Sequence, residues 1–120
     1  MNPRNIFLHD KVPSKNKEEL VETLCRDKNI HIERIISKGN TTPPGQWYDQ
    51  EHNEWVILLQ GSATLELKNK EKVNLSEGDY LLIPSRLKHR VSYTSEEPLC
   101  IWLAIHFSEN TEIIKKHNNK

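Results

Sequence analysis

The chain has 120 residues, a length that gives one domain and lets a fold bury roughly two-thirds of its unfolded surface without staples. Lys plus Arg and Asp plus Glu each number 17, so the basic excess of a nucleic-acid footprint is missing. No apolar run nears the ~18 residues that span a bilayer.

Cys25 and Cys100 form no CxxC pair and read as free thiols of a reducing cytoplasm. Residues 1–12 are mixed, with no long apolar stretch and no small-residue cleavage site. They read as irregular chain or a short edge strand and not as a signal peptide. Ser14 suits a helix N-cap, and Glu18 and Glu19 suit the positive end of a helix dipole. Leu20, Val21, Leu24 and Cys25 recur at helical spacing, with Lys17, Glu18, Glu22 and Arg26 on the other side. This pattern predicts a short amphipathic helix over 15–27, lying against the outside or an end of the main sheet.

Strand signals follow. The run Ile30-His31-Ile32-Glu33-Arg34-Ile35-Ile36-Ser37 is rich in β-branched residues and roughly alternating. Turn chemistry at 39–45 leads to a short strand at 47–49, a polar connection at 50–53, and an apolar strand over 54–60. Residues 63–67 alternate with period two, and 73–75 resume beyond a solvated tip. Strands at 80–83, 89–93 and 99–107 complete the set, with Pro84 stopping the first of them. The polar tail reads as disordered, with at most a frayed turn around Ile113 and Ile114. About eight short strands with frequent turns predict an all-β antiparallel sandwich or barrel. The expected organisation is a segment 1–29 packing on the barrel, a barrel 30–107, and a tail 108–120.

Two spaced motifs then resemble the cupin superfamily. Its first motif runs from a glycine through a His-x-His pair to a glutamate and, after six residues, a glycine; Glu54 and Gly61 keep the second half, and Gly45 opens it at a shortened spacing. Its second motif is matched by Gly78, Pro84 and His89, with Arg86 in place of the second glycine and Tyr93 in place of the asparagine. The resemblance covers about residues 30–107 and implies a double-stranded β-helix, or jelly-roll barrel. It does not select among the many activities of such barrels.

In a metal-bearing cupin the histidine pair, the glutamate and the later histidine hold one divalent ion inside the barrel. Here the pair is missing: Trp47 and Asp49 take its place at one spacing, Tyr48 and Gln50 at the other, and the first is preferred. The resemblance therefore implies Asp49, Glu54 and His89 as metal ligands, an oxygen-rich set suited to Mn, Fe or Zn. Tyr48, Gln50, His52 and His106 are further candidates. Each has a plainer reading: Glu54 as a rim charge, His89 and His106 as hydrogen-bonded interior histidines, Asp49 as a turn residue, His52 as solvent-exposed. Arg86 reads either as an anion clamp or as a solvated surface arginine. The functional expectations are a small metal-binding cupin enzyme, a metal-free small-molecule binding or sensing module, or a structural domain with a packed interior. A homodimer follows from the resemblance alone.

Overall fold

The computed structural model describes residues 1–108; the tail expected at 108–120 lies outside them except for Ser108. The strands are β1 (Leu20–Asp27), β2 (Ile30–Ser37), β3 (Asn53–Gln60), β4 (Ala63–Leu67), β5 (Lys72–Leu75), β6 (Tyr80–Ile83), β7 (His89–Thr94) and β8 (Cys100–Phe107). They form a five-stranded sheet in the order β1-β2-β8-β3-β6 and a three-stranded sheet in the order β5-β4-β7. All pairings within them are antiparallel.

Strand alternation builds the core between the two sheets. Glu54, Val56 and Leu58 of β3 are buried while Trp55 and Ile57 are half-buried, as expected when successive side chains point to opposite faces. Val56 and Leu58 meet Leu65 of β4, Ile83 of β6, and Trp102 and Ala104 of β8 in one apolar cluster. The polar end of each inward-facing row, not its apolar centre, becomes the site described below.

The helix expected over 15–27 does not form. Residues Leu20–Asp27 are instead an edge strand, paired with β2 from Leu20↔Ile36 to Asp27↔Ile30 with a register shift between Thr23 and Cys25. The physical reason is twofold. A lone amphipathic helix needs a core face to bury, yet Val21 and Leu24 remain 51% and 45% exposed. The outer edge of β2 meanwhile presents backbone groups that a further strand satisfies. The strand expected at 47–49 is also reduced. Only Tyr48 pairs, through reciprocal backbone bonds to His89 of 2.8 and 3.1 Å.

The N-terminal arm is held by Arg34 on the outer face of β2. Its guanidinium donates to the carbonyls of Ile6 (3.0 Å) and Leu8 (2.6 Å) and to Glu22 (2.7 Å), and the residue is buried. Asn40, also buried, plays the same part for the next segment. Its side-chain amide donates to the carbonyls of Ser14 (2.7 Å) and Lys17 (2.6 Å). These bonds lay residues 14–19 along one flank of the barrel mouth. Cys25 and Cys100 are free thiols, one exposed and one buried. Among the described residues no helix is long and apolar enough to cross a membrane.

Candidate functional site

A cavity of about 720 Å³ opens between the sheets. Its apolar wall includes Val56, Leu65, Ile83, Val91 and Trp102. Its polar end gathers Glu54 and His89 with Glu33, His106, Tyr48 and Glu19. The register explains the gathering: Glu54 of β3 stands opposite His106 of β8, and His106 stands opposite His31 of β2. Two rungs along the ladder, on the same face, Glu33 stands opposite Ala104, whose side chain is small.

Glu54 and His89 come from opposite sheets and meet across this space, with His89 Nε2 3.8 Å from Glu54 Oε1. Both residues are more than nine-tenths buried. His89 Nδ1 lies 2.9 Å from the Leu87 carbonyl. A carbonyl only accepts, so Nδ1 carries the proton there. In the neutral ring Nε2 then presents a lone pair toward the carboxylate of Glu54. In that state two acceptors face each other across a gap too long for a direct hydrogen bond. The Tyr48 ring lies against the His89 ring, with centroids 5.5 Å apart, and fixes its tilt.

A second chain of polar contacts runs along the rim. His106 Nε2 is 2.8 Å from Glu33 Oε1, and His106 Nδ1 is 3.0 Å from His52 Nε2. Because Glu33 accepts from Nε2, a neutral His106 accepts at Nδ1, and His52 donates to it. His31 stands 3.5 Å from the other oxygen of Glu33. Both ring nitrogens of His106 are therefore engaged. Burial, and next the charge of a protonated His106, push the His52 imidazole below its ordinary value.

That depression has a pH signature. The unfolded chain protonates His52 near its ordinary value of 6.5, while the folded chain resists until lower pH. Between those points the unfolded state binds more protons, so this group makes stability fall as pH drops. The charged neighbours are His106, Glu54, Glu33 and His31. Glu19 acts in the opposite sense, its carboxyl raised by burial. The urea midpoint of His52→Gln should therefore decline less than that of the parent chain between pH 7 and about pH 5; equal declines would show that His52 does not supply the slope.

Glu19 itself sits beside the mouth and accepts from the Tyr48 hydroxyl at 3.5 Å. Its carboxyl is raised first by burial and further by the negative charges of Glu18, Glu54 and Glu33, against the hydrogen bond from Tyr48. Burial and then the charge of Glu19 raise the Tyr48 hydroxyl.

Of the expected residues, Glu54 and His89 are brought together, and His106, Tyr48 and Gln50 line the same cavity. His52 reaches it through His106 from the bend before β3. Asp49 is not brought there. It is exposed and lies 3.4 Å from Arg86, which also pairs with Glu51 at 3.0 Å. The loop turns Asp49 outward because only Tyr48 joins the sheet, and Arg86 is thereby a surface partner of two carboxylates. Glu33 and Glu19 were assigned no site role from sequence. The shared parity of His31, Glu33 and Ile35 along β2 was the available signal for the first; the expected helix concealed the second.

A divalent ion of the kind cupins hold needs at least three converging donors. Among the described residues no group of three or more His, Cys, Asp or Glu side chains is arranged to hold one. Asp49 is turned away, His106 is saturated by Glu33 and His52, and of the described candidates only Glu54 and His89 converge. The donor set as placed does not fit a resident ion.

Comparison with known proteins agrees with the geometry. The family described as "Cupin domain" matches residues 35–106. A crystal structure from Ralstonia eutropha JMP134, described as a "putative mannose-6-phosphate isomerase", is 36% identical with a TM-score of 0.80, over 90% of this chain and 99% of that one. An RmlC-like cupin with a double-stranded β-helix fold from Methanocaldococcus jannaschii is 20% identical with a TM-score of 0.64, over 82% and 88% of the two chains. Among curated proteins, the RCS-specific HTH-type transcriptional activator RclR of Escherichia coli K12 is 38% identical over 47 residues. That match spans 39% of this chain and 16% of RclR.

Proposed function

This chain belongs to the cupin family, and from that premise we propose that it is a small-molecule-binding barrel whose ligand is held by protein groups and not through a resident metal ion. The observation that carries the reading is the buried pair Glu54 and His89, facing each other at 3.8 Å across an open cavity with no third ligand beside them among the described residues. A ligand N–H or O–H placed between them would give both acceptors a partner, while the apolar wall with Trp102 would bury the rest of the molecule. The Leu87 carbonyl holds the imidazole in one tautomer, and Tyr48 limits its rotation. The partial likeness to a transcriptional activator fits a binding or sensing role.

Thermal unfolding in the presence of EDTA tests the reading. A metabolite near 100 times its Kd adds about 2.7 kcal/mol to stability, a rise in Tm of roughly 10 °C for a domain of this size. The expected result is a metabolite that raises Tm with chelator present and loses the effect in His89→Ala. Stabilisation by Mn, Fe or Zn alone, abolished by chelator and by His89→Ala, would overturn it.

A second reading is favoured by the same facing pair together with the description of the R. eutropha relative. Two buried proton acceptors could remove a proton from one carbon of a hydroxycarbonyl compound and return it to the neighbouring carbon. Such a reaction needs no co-reactant. Incorporation of solvent deuterium into substrate, lost in His89→Ala, is its signature; absence of label across a panel of sugars and sugar phosphates would remove it.

A further inference from the structure

Glu54 is more than nine-tenths buried and makes no hydrogen bond to any described residue. With the ring proton held on Nδ1 by the Leu87 carbonyl, a neutral His89 would offer it a second acceptor at Nε2, 3.8 Å away. Two of the donors nearby are engaged elsewhere: His106 donates to Glu33, and the Tyr48 hydroxyl is directed to Glu19. The charges point the same way. Glu18, Glu19, Glu33 and Glu54 all line the cavity, and no arginine does. Its two lysines, Lys15 and Lys17, are exposed at the mouth, and Lys15 is paired with Glu96 at 3.0 Å.

We propose that the ligand is a small organic cation, an amine whose ammonium group lies between Glu54 and His89 and whose apolar body lies against Trp102. This rests on the metal-free reading above and adds the charge of the ligand. An ammonium carries several donors and no acceptor, which suits two facing acceptors better than a hydroxyl does. A phosphate or carboxylate would face Glu54 and Glu33 at low dielectric with no guanidinium to receive it. The mutual repulsion that Glu19 feels from Glu18, Glu54 and Glu33 is relieved by a cation and worsened by an anion. The sugar phosphate named for the R. eutropha relative is therefore a poor fit to this chain.

The test uses the full chain at neutral pH in EDTA, with benzylamine, benzyl alcohol and benzoate as one shape in three charges, and mannose 6-phosphate beside them. Calorimetry and thermal unfolding should rank benzylamine first, with binding at least tenfold tighter than benzoate. Glu54→Gln should erase the tenfold preference, and Glu54→Asp, which keeps the charge, should retain it. Tighter binding of benzoate or mannose 6-phosphate, an amine preference that survives Glu54→Gln, or no binding by any of the four would overturn the assignment. Neutral or anionic probes that bind in EDTA and are lost in His89→Ala overturn the cation and leave the metal-free site standing. Probes that bind only when a divalent ion is added overturn both.

Discussion

Gly61→Ala is expected to destabilise the fold by about 3–5 kcal/mol, the sum of a backbone term and an overpacking term. Gly61 closes the turn between β3 and β4 with φ at +93°, where an L side chain is strained. A Cβ there would also lie 2.7 Å from Ser95 Oγ, 2.9 Å from Cys100 Sγ and 3.1 Å from Cys100 Cα. None of these yields freely. Ser95 Oγ donates to the Pro98 carbonyl at 2.6 Å and accepts from the Ser62 amide at 3.0 Å, and Cys100 is fully buried. The control is Gly78→Ala: φ is +89° there too, but no atom lies within 4 Å of the added carbon. It should lose only the backbone share, about 1–2 kcal/mol. Equilibrium urea unfolding of both variants separates the two contributions. Equal losses would show that the crowding around Ser95 and Cys100 is absent.

Arg34→Ala should cost about 2–3 kcal/mol and free the N-terminal arm. The guanidinium is the hydrogen-bond partner of the Ile6 and Leu8 carbonyls and of the Glu22 carboxylate. Its removal strands groups that had been taken out of water. The loss stays below that of a fully buried ion pair, because Glu22 is about half exposed and can rehydrate. Limited proteolysis should cut residues 1–13 of the variant faster than those of the parent chain. Arg34→Lys should not restore protection, since an ammonium cannot reproduce the planar fork. Unchanged cleavage would mean that the arm is anchored by its apolar side chains.

These two residues also mark what was legible beforehand. Gly61 belongs to a spaced motif, and motif, alternation and turn chemistry agreed on the strands from β2 to β8. Glu54 and His89 came from the two spaced motifs of the resemblance, and the structure places them within 3.8 Å of each other. β1 escaped detection for the converse reason. It is exposed along nearly its whole length, so neither face imposes an apolar alternation, and the chance spacing of Leu20, Val21, Leu24 and Cys25 reads as helical. Its conformation is dictated by the hydrogen bonds of its neighbour. Asp49 was a matter of loop direction, which a one-residue bridge at Tyr48 decides. The rim chain of His52, His106, Glu33 and His31 depends on which residues stand opposite one another across three strands. Such pairing is set by tertiary contacts and not by local pattern.

The attachment of residues 14–19 gives the container an unequal construction. Most of its wall is interlocked sheet, whereas this flank hangs on the amide of Asn40, the Lys15–Glu96 pair and the Tyr48–Glu19 contact. Opening the mouth on this side would rupture those polar links while every strand pairing of the two sheets stayed in place.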